Sequence, residues 1–168
     1  IEENGLRFEV DPGEGQKTGF FLDQRDNRSL ARELAGGRSV VNLFSYTGAF
    51  GVYAAAGGAI DVENVDVSIG AIEMARRNHD LNGSGDRARF TVDDAFDFVR
   101  DRAAAKQRCG MLICDPPAFA KSRGEVDRAA RGYKDVNLHA LKLLEPGGWM
   151  MTFSCSGHLS LDLFQKII

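Results

Sequence analysis

The sequence predicts an α/β fold, a doubly wound and mostly parallel sheet led by a short N-terminal β-hairpin. Three observations carry this expectation. Short apolar runs alternate with segments of helical spacing. Glycine-rich breaks separate them at Gly36-Gly37, Gly57-Gly58, Asn82-Gly83 and Gly147-Gly148. Asp66, Asp94, Asp115 and Cys155 stand at carboxyl ends of the runs, the edge where such sheets bind ligands.

The clearest stretch is Ser39 to Gly58. Val40, Val41, Leu43 and Phe44 suit a strand buried on both faces. Ser45, Tyr46, Thr47 and Gly48 supply turn chemistry, and Ala49 to Ala56 reads as a tightly packed helix. A strand, a tight turn and a helix N-terminus make a binding device in which Gly48 is expected to let a ligand approach the backbone. The full G-x-G-x-x-G pattern is missing, so plain α/β packing stands as the alternative.

Taken in order, Leu6 to Val10 alternates as a half-exposed strand, and Asp11-Pro12-Gly13 is a turn. Gly15 to Asp23 fits either the second strand of a hairpin or a ligand-contacting loop. Arg25 to Ala35 is an amphipathic helix with Leu30, Ala31 and Leu34 inward. A strand ending at Asp66 is followed by a helix from Ile69 to Leu81, with Ile69, Ile72, Ala75 and Leu81 at helical spacing. Ala88 to Val92 is a strand, and Ala95 to Ala105 a helix. Gly110 to Cys114 is a buried strand, capped by Asp115-Pro116-Pro117. Ala120 to Lys134 is polar, and Asp135 to Leu144 is helical through Val136, Leu138, Leu141 and Leu144. Trp149 to Phe153 is the fifth strand of the sheet, and Ser160 caps a helix with Leu163, Phe164 and Ile167 inward.

The tip residues admit chemical and structural readings. Asp66, about 20 residues past the glycine turn, is placed for a ribose diol, or it N-caps the next helix. Asp94 can accept from an adenine amino group while Phe96 or Ala95 covers the ring, or it too is an N-cap. The two prolines hold Asp115 at the mouth of the sheet, as a reactive carboxylate or as part of a rigid turn. Lys121, Arg123, Arg128, Arg131 and Lys134 form a solvated face or a basic lip that contacts phosphates. Cys155, between two serines, is either an exposed reactive thiol or a small buried hydrophobe.

Composition narrows the function classes. A chain of 168 residues suits one α/β core, and 43% hydrophobic with 27% charged residues predicts a soluble fold. No apolar run approaches the roughly 20 residues of a membrane span. A net charge of −3 argues against a whole-surface nucleic-acid binder but leaves room for a local basic patch. Cys109, Cys114 and Cys155 lack metal spacing, so no metal is expected, and free thiols fit a cytoplasmic location. The chain opens at Ile1 and stops within an apolar helical pattern at Ile168, so both ends are expected to be cut.

The residues then point to a family. Gly15–Arg28 (GQKTGFFLDQRDNR), Asn42–Ala59, Val65–Ser68, Asp115–Ser122 (DPPAFAKS), Arg131–Asn137 (RGYKDVN) and Thr152–Ser160 (TFSCSGHLS) resemble the class I, Rossmann-like S-adenosylmethionine-dependent methyltransferases. More closely, they resemble the bacterial 23S ribosomal RNA cytosine-C5 methyltransferases that carry a PUA domain. The resemblance implies a β-hairpin segment over residues 1–24 and a methyltransferase domain over 25–168, truncated after the fifth strand of its sheet. That strand would leave an exposed edge able to pair with a second copy.

It also implies S-adenosylmethionine as methyl donor and ribosomal RNA as partner. Phe44, Ser45, Tyr46, Thr47 and Gly48 would face the donor's methionine end. Asp66 and Val67 would face its ribose, Asp94 and Ala95 its adenine, and Asp115 would also border it. Cys155 would be the nucleophile at cytosine C6 and Asp115 its acid partner at N3. Pro116, Pro117, Phe119, Lys121, Arg131 and Lys134 would contact the RNA. A guanine methyltransferase would share the KTGFFLDQR and FSYTG blocks without needing Cys155, and a nicotinamide-dinucleotide module would need neither Asp115 nor Cys155.

Overall fold

The computed structural model describes residues 1–11, 13 and 19–168. A hairpin of β1 (Glu2–Glu3) and β2 (Leu6–Arg7) precedes a five-stranded parallel sheet. The sheet comprises β3 (Ser39–Leu43), β4 (Asp61–Asp66), β5 (Ala88–Val92), β6 (Cys109–Cys114) and β7 (Leu144–Thr152), in the spatial order β5-β4-β3-β6-β7. Helices α1 (Arg25–Leu34), α2 (Ala49–Ala56), α3 (Ile69–Leu81), α4 (Ala95–Ala104), α5 (Val126–Leu143) and α6 (Leu161–Ile167) complete the chain. The expected α/β class and doubly wound sheet are present, with the order reversing between β3 and β6.

The central strands are buried on both faces because both faces carry helices. Met111 and Ile113 pack with Ala31, Ala54 and Val62 on the α1–α2 side. Leu112 and Cys114 pack with Phe98, Val136 and Leu143 on the α4–α5 side. Small residues let the helices approach closely, which explains the alanine content of α2.

The hairpin differs from the expected one. Its turn is Asn4-Gly5, both left-handed at φ 51° and 79°, the twist that two-residue hairpins prefer. Thus the strand at Leu6 pairs backwards with Glu2–Glu3, and Phe8 to Val10 is not strand. Pro12 and residues 14–18, on which much of the expected second strand falls, lie outside the described residues.

Segment 1–11 is fastened to the helices. The buried Glu3 carboxylate accepts from Arg28 Nε at 2.9 Å and from Tyr53 Oη at 2.8 Å. Burial, then the neighbouring Glu3, pushes the Tyr53 phenol up to about 12. Asn78 on α3 and Asn82, which ends that helix, bond the backbones of Glu9 and Arg7 as a strand would.

Several expected faces turn out otherwise. Ala31 is buried on α1 as expected, but Leu30 is exposed and Arg28 is buried in its stead. Ile72 and Ala75 face inward on α3, whereas Ile69 and Leu81 are exposed. Helix α5 starts inside the segment expected to be a polar lip, at Val126. Its buried stripe is Ala129, Tyr133, Val136, Ala140 and Leu143, which leaves Leu138 and Leu141 outside at 46% and 43% exposure. Strand β7 starts at Leu144 and bulges over 145–148, because Leu144 pairs with Cys109 and Trp149 with Met111. It forms one edge of the described sheet.

A candidate active site at the carboxyl edge of the sheet

The loops after β3, β4, β6 and β7 border one cleft of about 670 Å³. Phe44, Ser45, Tyr46, Thr47, Asp66, Val67, Asp115, Pro116, Pro117 and Cys155 all line it. Gly48, Asp94, Ala95, Phe119, Lys121, Arg131 and Lys134 are not among its lining residues.

The β3–α2 turn holds an unusual backbone. Phe44 and Tyr46 adopt left-handed conformations at φ 55° and 48°, which cost non-glycine residues about 1–3 kcal/mol each and recur at binding sites. Asp66 braces the turn: its Oδ2 accepts from Tyr46 N at 2.9 Å and its Oδ1 from Ser68 N at 3.0 Å. It does not cap α3, since Ser68 Oγ does so by accepting from Ala71 N. Ser45 Oγ is buried with no hydrogen-bond partner among the described residues.

Gly48 has a packing role that the sequence does not announce. Its N–H is spent on Ser45 O, and a Cβ there would stand 2.7 Å from Ala75 Cβ. The approach of α3 by itself requires glycine at φ 76°.

Asp94 is the N-cap of α4, with Oδ1 accepting from Phe96 N at 2.8 Å and Asp97 N at 3.3 Å. Ala95, the first residue of the same helix, is buried. Phe119 packs on the Tyr133 ring at 4.5 Å between centroids, while Lys121, Arg131 and Lys134 are exposed.

At the other wall, Asp115 Oδ2 accepts from Gln24 Nε2 at 3.2 Å, and Asn27 Nδ2 donates to Gln24 Oε1 at 2.6 Å. Cys155 is exposed, and its Sγ donates to Pro116 O at 3.5 Å. The Cys114 thiol is fully buried; desolvation, then the adjacent Asp115, pushes it up to about 12. Cys109 is likewise pushed up to about 12 by burial. These two thiols are packing groups, and Cys155 is the one presented to the cleft. Gln24 and Asn27 were not singled out from the sequence, although both lie within the Gly15–Arg28 block.

Among the described residues no cluster of histidine, cysteine and acidic side chains could hold a metal ion, and no helix is long and apolar enough to cross a membrane. The fold and site define a doubly wound α/β protein with a small-molecule cleft at its topological switch point.

Comparison with known proteins refines that class. The model of the S-adenosylmethionine-dependent methyltransferases matches residues 1–164, and the chain belongs to this family. The protein is 48% identical over 169 aligned residues to the ribosomal RNA large subunit methyltransferase I of Shewanella amazonensis, covering 100% of this chain and 43% of that protein. The enzyme of the same name from Pseudoalteromonas atlantica is 47% identical with the same coverage. The chain therefore spans under half the length of these relatives. A solved methyltransferase-class structure complexed with SAH superposes with TM-score 0.88 at 30% identity, over 99% of this chain and 44% of that one. The M. jannaschii tRNA m1G37 methyltransferase shares the fold at TM-score 0.69 and 20% identity, over 98% of this chain and 44% of that one.

The cleft fits the family's cofactor. Its volume of about 670 Å³ lies within the range of cofactor sites. Each Asp66 oxygen keeps a lone pair for a second hydrogen bond, as a ribose diol requires, and Ser45, whose buried Oγ has no partner among the described residues, is a lining residue.

Proposed function

We propose that this chain forms the donor-binding and catalytic part of an enzyme that methylates C5 of a cytosine in large-subunit ribosomal RNA. The observation that carries the reading is the meeting of an exposed thiol, Cys155, and a carboxyl group, Asp115, on the cleft that Asp66 and Ser45 also line. The family match supports the donor, and the names of the relatives support the RNA.

When bound, S-adenosylmethionine supplies an electrophilic methyl group on its sulfonium. Asp66 would hold the ribose hydroxyls, and Ser45 with the backbone of the β3–α2 turn the amino-acid end. Cytosine C5 is too weak a nucleophile by itself. Addition of Cys155 Sγ at C6 forms the S–C6 bond and moves the C5=C6 electron pair onto C5, with charge relayed to N3. Asp115 protonates or hydrogen-bonds N3 and stabilises that charge. Once C5 carries the methyl group and the donor's sulfur is left as a neutral thioether, the C5 proton would pass to a general base, the pair re-forms C5=C6, Asp115 takes back any proton given to N3, and Sγ leaves as the thiolate. The cytosine must be unstacked to reach the cleft. Exposed Lys121, Arg131 and Lys134 lie outside the cleft and suit backbone phosphates, which position without reading sequence.

The test is methylation of undermodified ribosomal RNA by the full-length protein and its Cys155→Ser form. The serine form is expected to bind the donor normally and to lose turnover. Normal turnover without the thiol would exclude the C5 mechanism and leave a different target base.

A further inference from the structure

We propose that Tyr133 is a positioning residue for Cys155, acting through the two serines that flank the thiol. Tyr133 is fully buried on α5, within the Arg131–Asn137 block, and has no place in the chemistry above. Its hydroxyl lies 2.9 Å from Ser156 Oγ and 3.1 Å from Ser154 Oγ, so one atom grips the residues on both sides of Cys155. Ser156 N also donates to Ser154 Oγ at 3.3 Å, which closes a small ring around the corner.

The same residue reaches the opposite loop. Ser156 Oγ accepts from Ala120 N at 3.1 Å, five residues past Asp115, and the Tyr133 ring packs on Phe119. A consistent proton arrangement has Ser154 donating to the phenol and the phenol donating to Ser156, which also accepts from Ala120. The loop carrying the carboxyl group and the loop carrying the thiol are thereby pinned to one side chain on one long helix. Nucleophilic addition tolerates little error in placement, and a buried hydroxyl network with this geometry fixes it.

This inference takes its chemical consequence from the proposed cytosine reaction, but its geometry does not depend on that reading. The test uses the full-length protein with Tyr133→Phe, which keeps the ring, and Ser156→Ala as a second route to the same break. Tyr53→Phe, a buried tyrosine in the N-terminal clamp, is the comparison. Tyr133→Phe is expected to lower kcat about tenfold or more with KM for RNA and donor affinity unchanged. Adding Ser156→Ala should cost little further, because both remove the same link. Alkylation of Cys155 by iodoacetamide should also change about threefold or more in rate, a readout that needs no methylation; Cys109 and Cys114 are buried. Additive losses, an equal loss from Tyr53→Phe, or wild-type kcat and alkylation in both variants would overturn the proposal. If Cys155→Ser turns over normally, the cytosine reading falls, and the alkylation rates alone decide the role of Tyr133.

Discussion

The Gln24 side-chain amide donates to Asp115 Oδ2 at 3.2 Å across a separation of 91 residues, and Asn27 fixes which end of that amide points there. Gln24 belongs to the short 3-10 turn Leu22–Gln24 before α1, so the N-terminal segment helps build the wall of the cleft on which the carboxyl group stands. Arg28, buried beside it, holds Phe21 O at 2.9 Å while gripping Glu3, which keeps this turn in place.

Removing the Gln24 amide should therefore be felt at Asp115. A hydrogen bond of this kind contributes about 1 kcal/mol, so Gln24→Leu is expected to slow single-turnover methylation about fivefold. Gln24→Glu should slow it further by setting two carboxyl groups against each other. Rates equal to wild type in both would mean that the contact does not bear on the reaction.

Asp66 is expected to serve the donor twice, by bracing the turn through Tyr46 N and by offering lone pairs to the ribose. Asp66→Ala should weaken donor binding by about 1.5–3 kcal/mol, roughly tenfold to a hundredfold in Kd by calorimetry. An unchanged Kd would remove Asp66 from the binding site.

At Asp94 two substitutions separate the cap from the ligand. Asp94→Ala loses the bonds to Phe96 N and Asp97 N and should cost about 1 kcal/mol of stability. Asp94→Ser keeps a capping oxygen and should restore that stability. A fall in donor affinity in the serine form would assign the carboxylate to adenine; wild-type affinity would leave it as a cap alone.

How much of this was legible depends on range. The sheet is readable because β3 and β6 are largely apolar runs and glycine breaks bound the helices, although β4 carries the buried polar pair Glu63 and Asn64. Asp66, Asp115 and Cys155 can be placed on one cleft from the sequence because a parallel sheet gathers strand ends on one edge. Helix α5 starts ahead of the expected Asp135 because arginines and lysines hide a stripe of small and aromatic residues, Ala129 to Leu143. The Leu30 error has the same origin: a salt-bridged Arg28 occupies the buried face of α1, and nothing local foretells its partner Glu3. The Gln24–Asp115 and Tyr133–Ser156 links join residues that only the tertiary fold brings together.

Gly48→Ala should be disruptive without touching the ligand. A left-handed alanine costs about 1 kcal/mol, and the clash with Ala75 adds about 1–3 kcal/mol. Denaturant melts should show this loss, and Ala75→Gly in the same chain should recover the steric part. A stability equal to wild type would contradict the close approach of α3.

His79 is fully buried and joins a chain of polar groups: Asn42 Nδ2 donates to Asn64 Oδ1 at 3.0 Å, Asn64 Nδ2 lies 3.1 Å from His79 Nε2, and His79 Nδ1 lies 2.9 Å from Ser84 Oγ. The Asn64 amide offers a proton to Nε2, so the consistent tautomer is neutral with its proton on Nδ1. The Phe90 ring stands edge-on at 5.4 Å, and no acidic partner of His79 is found among the described residues. Burial, aided by Arg87, lowers its pKa from 6.5 to about 4. The unfolded chain thus binds this proton first as pH falls. The stabilisation is complete above about pH 6.5, declines below it, and is spent once pH passes about 4, a total of about 3 kcal/mol. Urea midpoints measured from about pH 7 to about pH 5, above the main carboxylate titrations, should fall steadily. His79→Gln should be less stable at neutral pH and flatter across that window. A wild-type midpoint that stays level between those values would mean that His79 takes up its proton in the folded chain as readily as in the unfolded one.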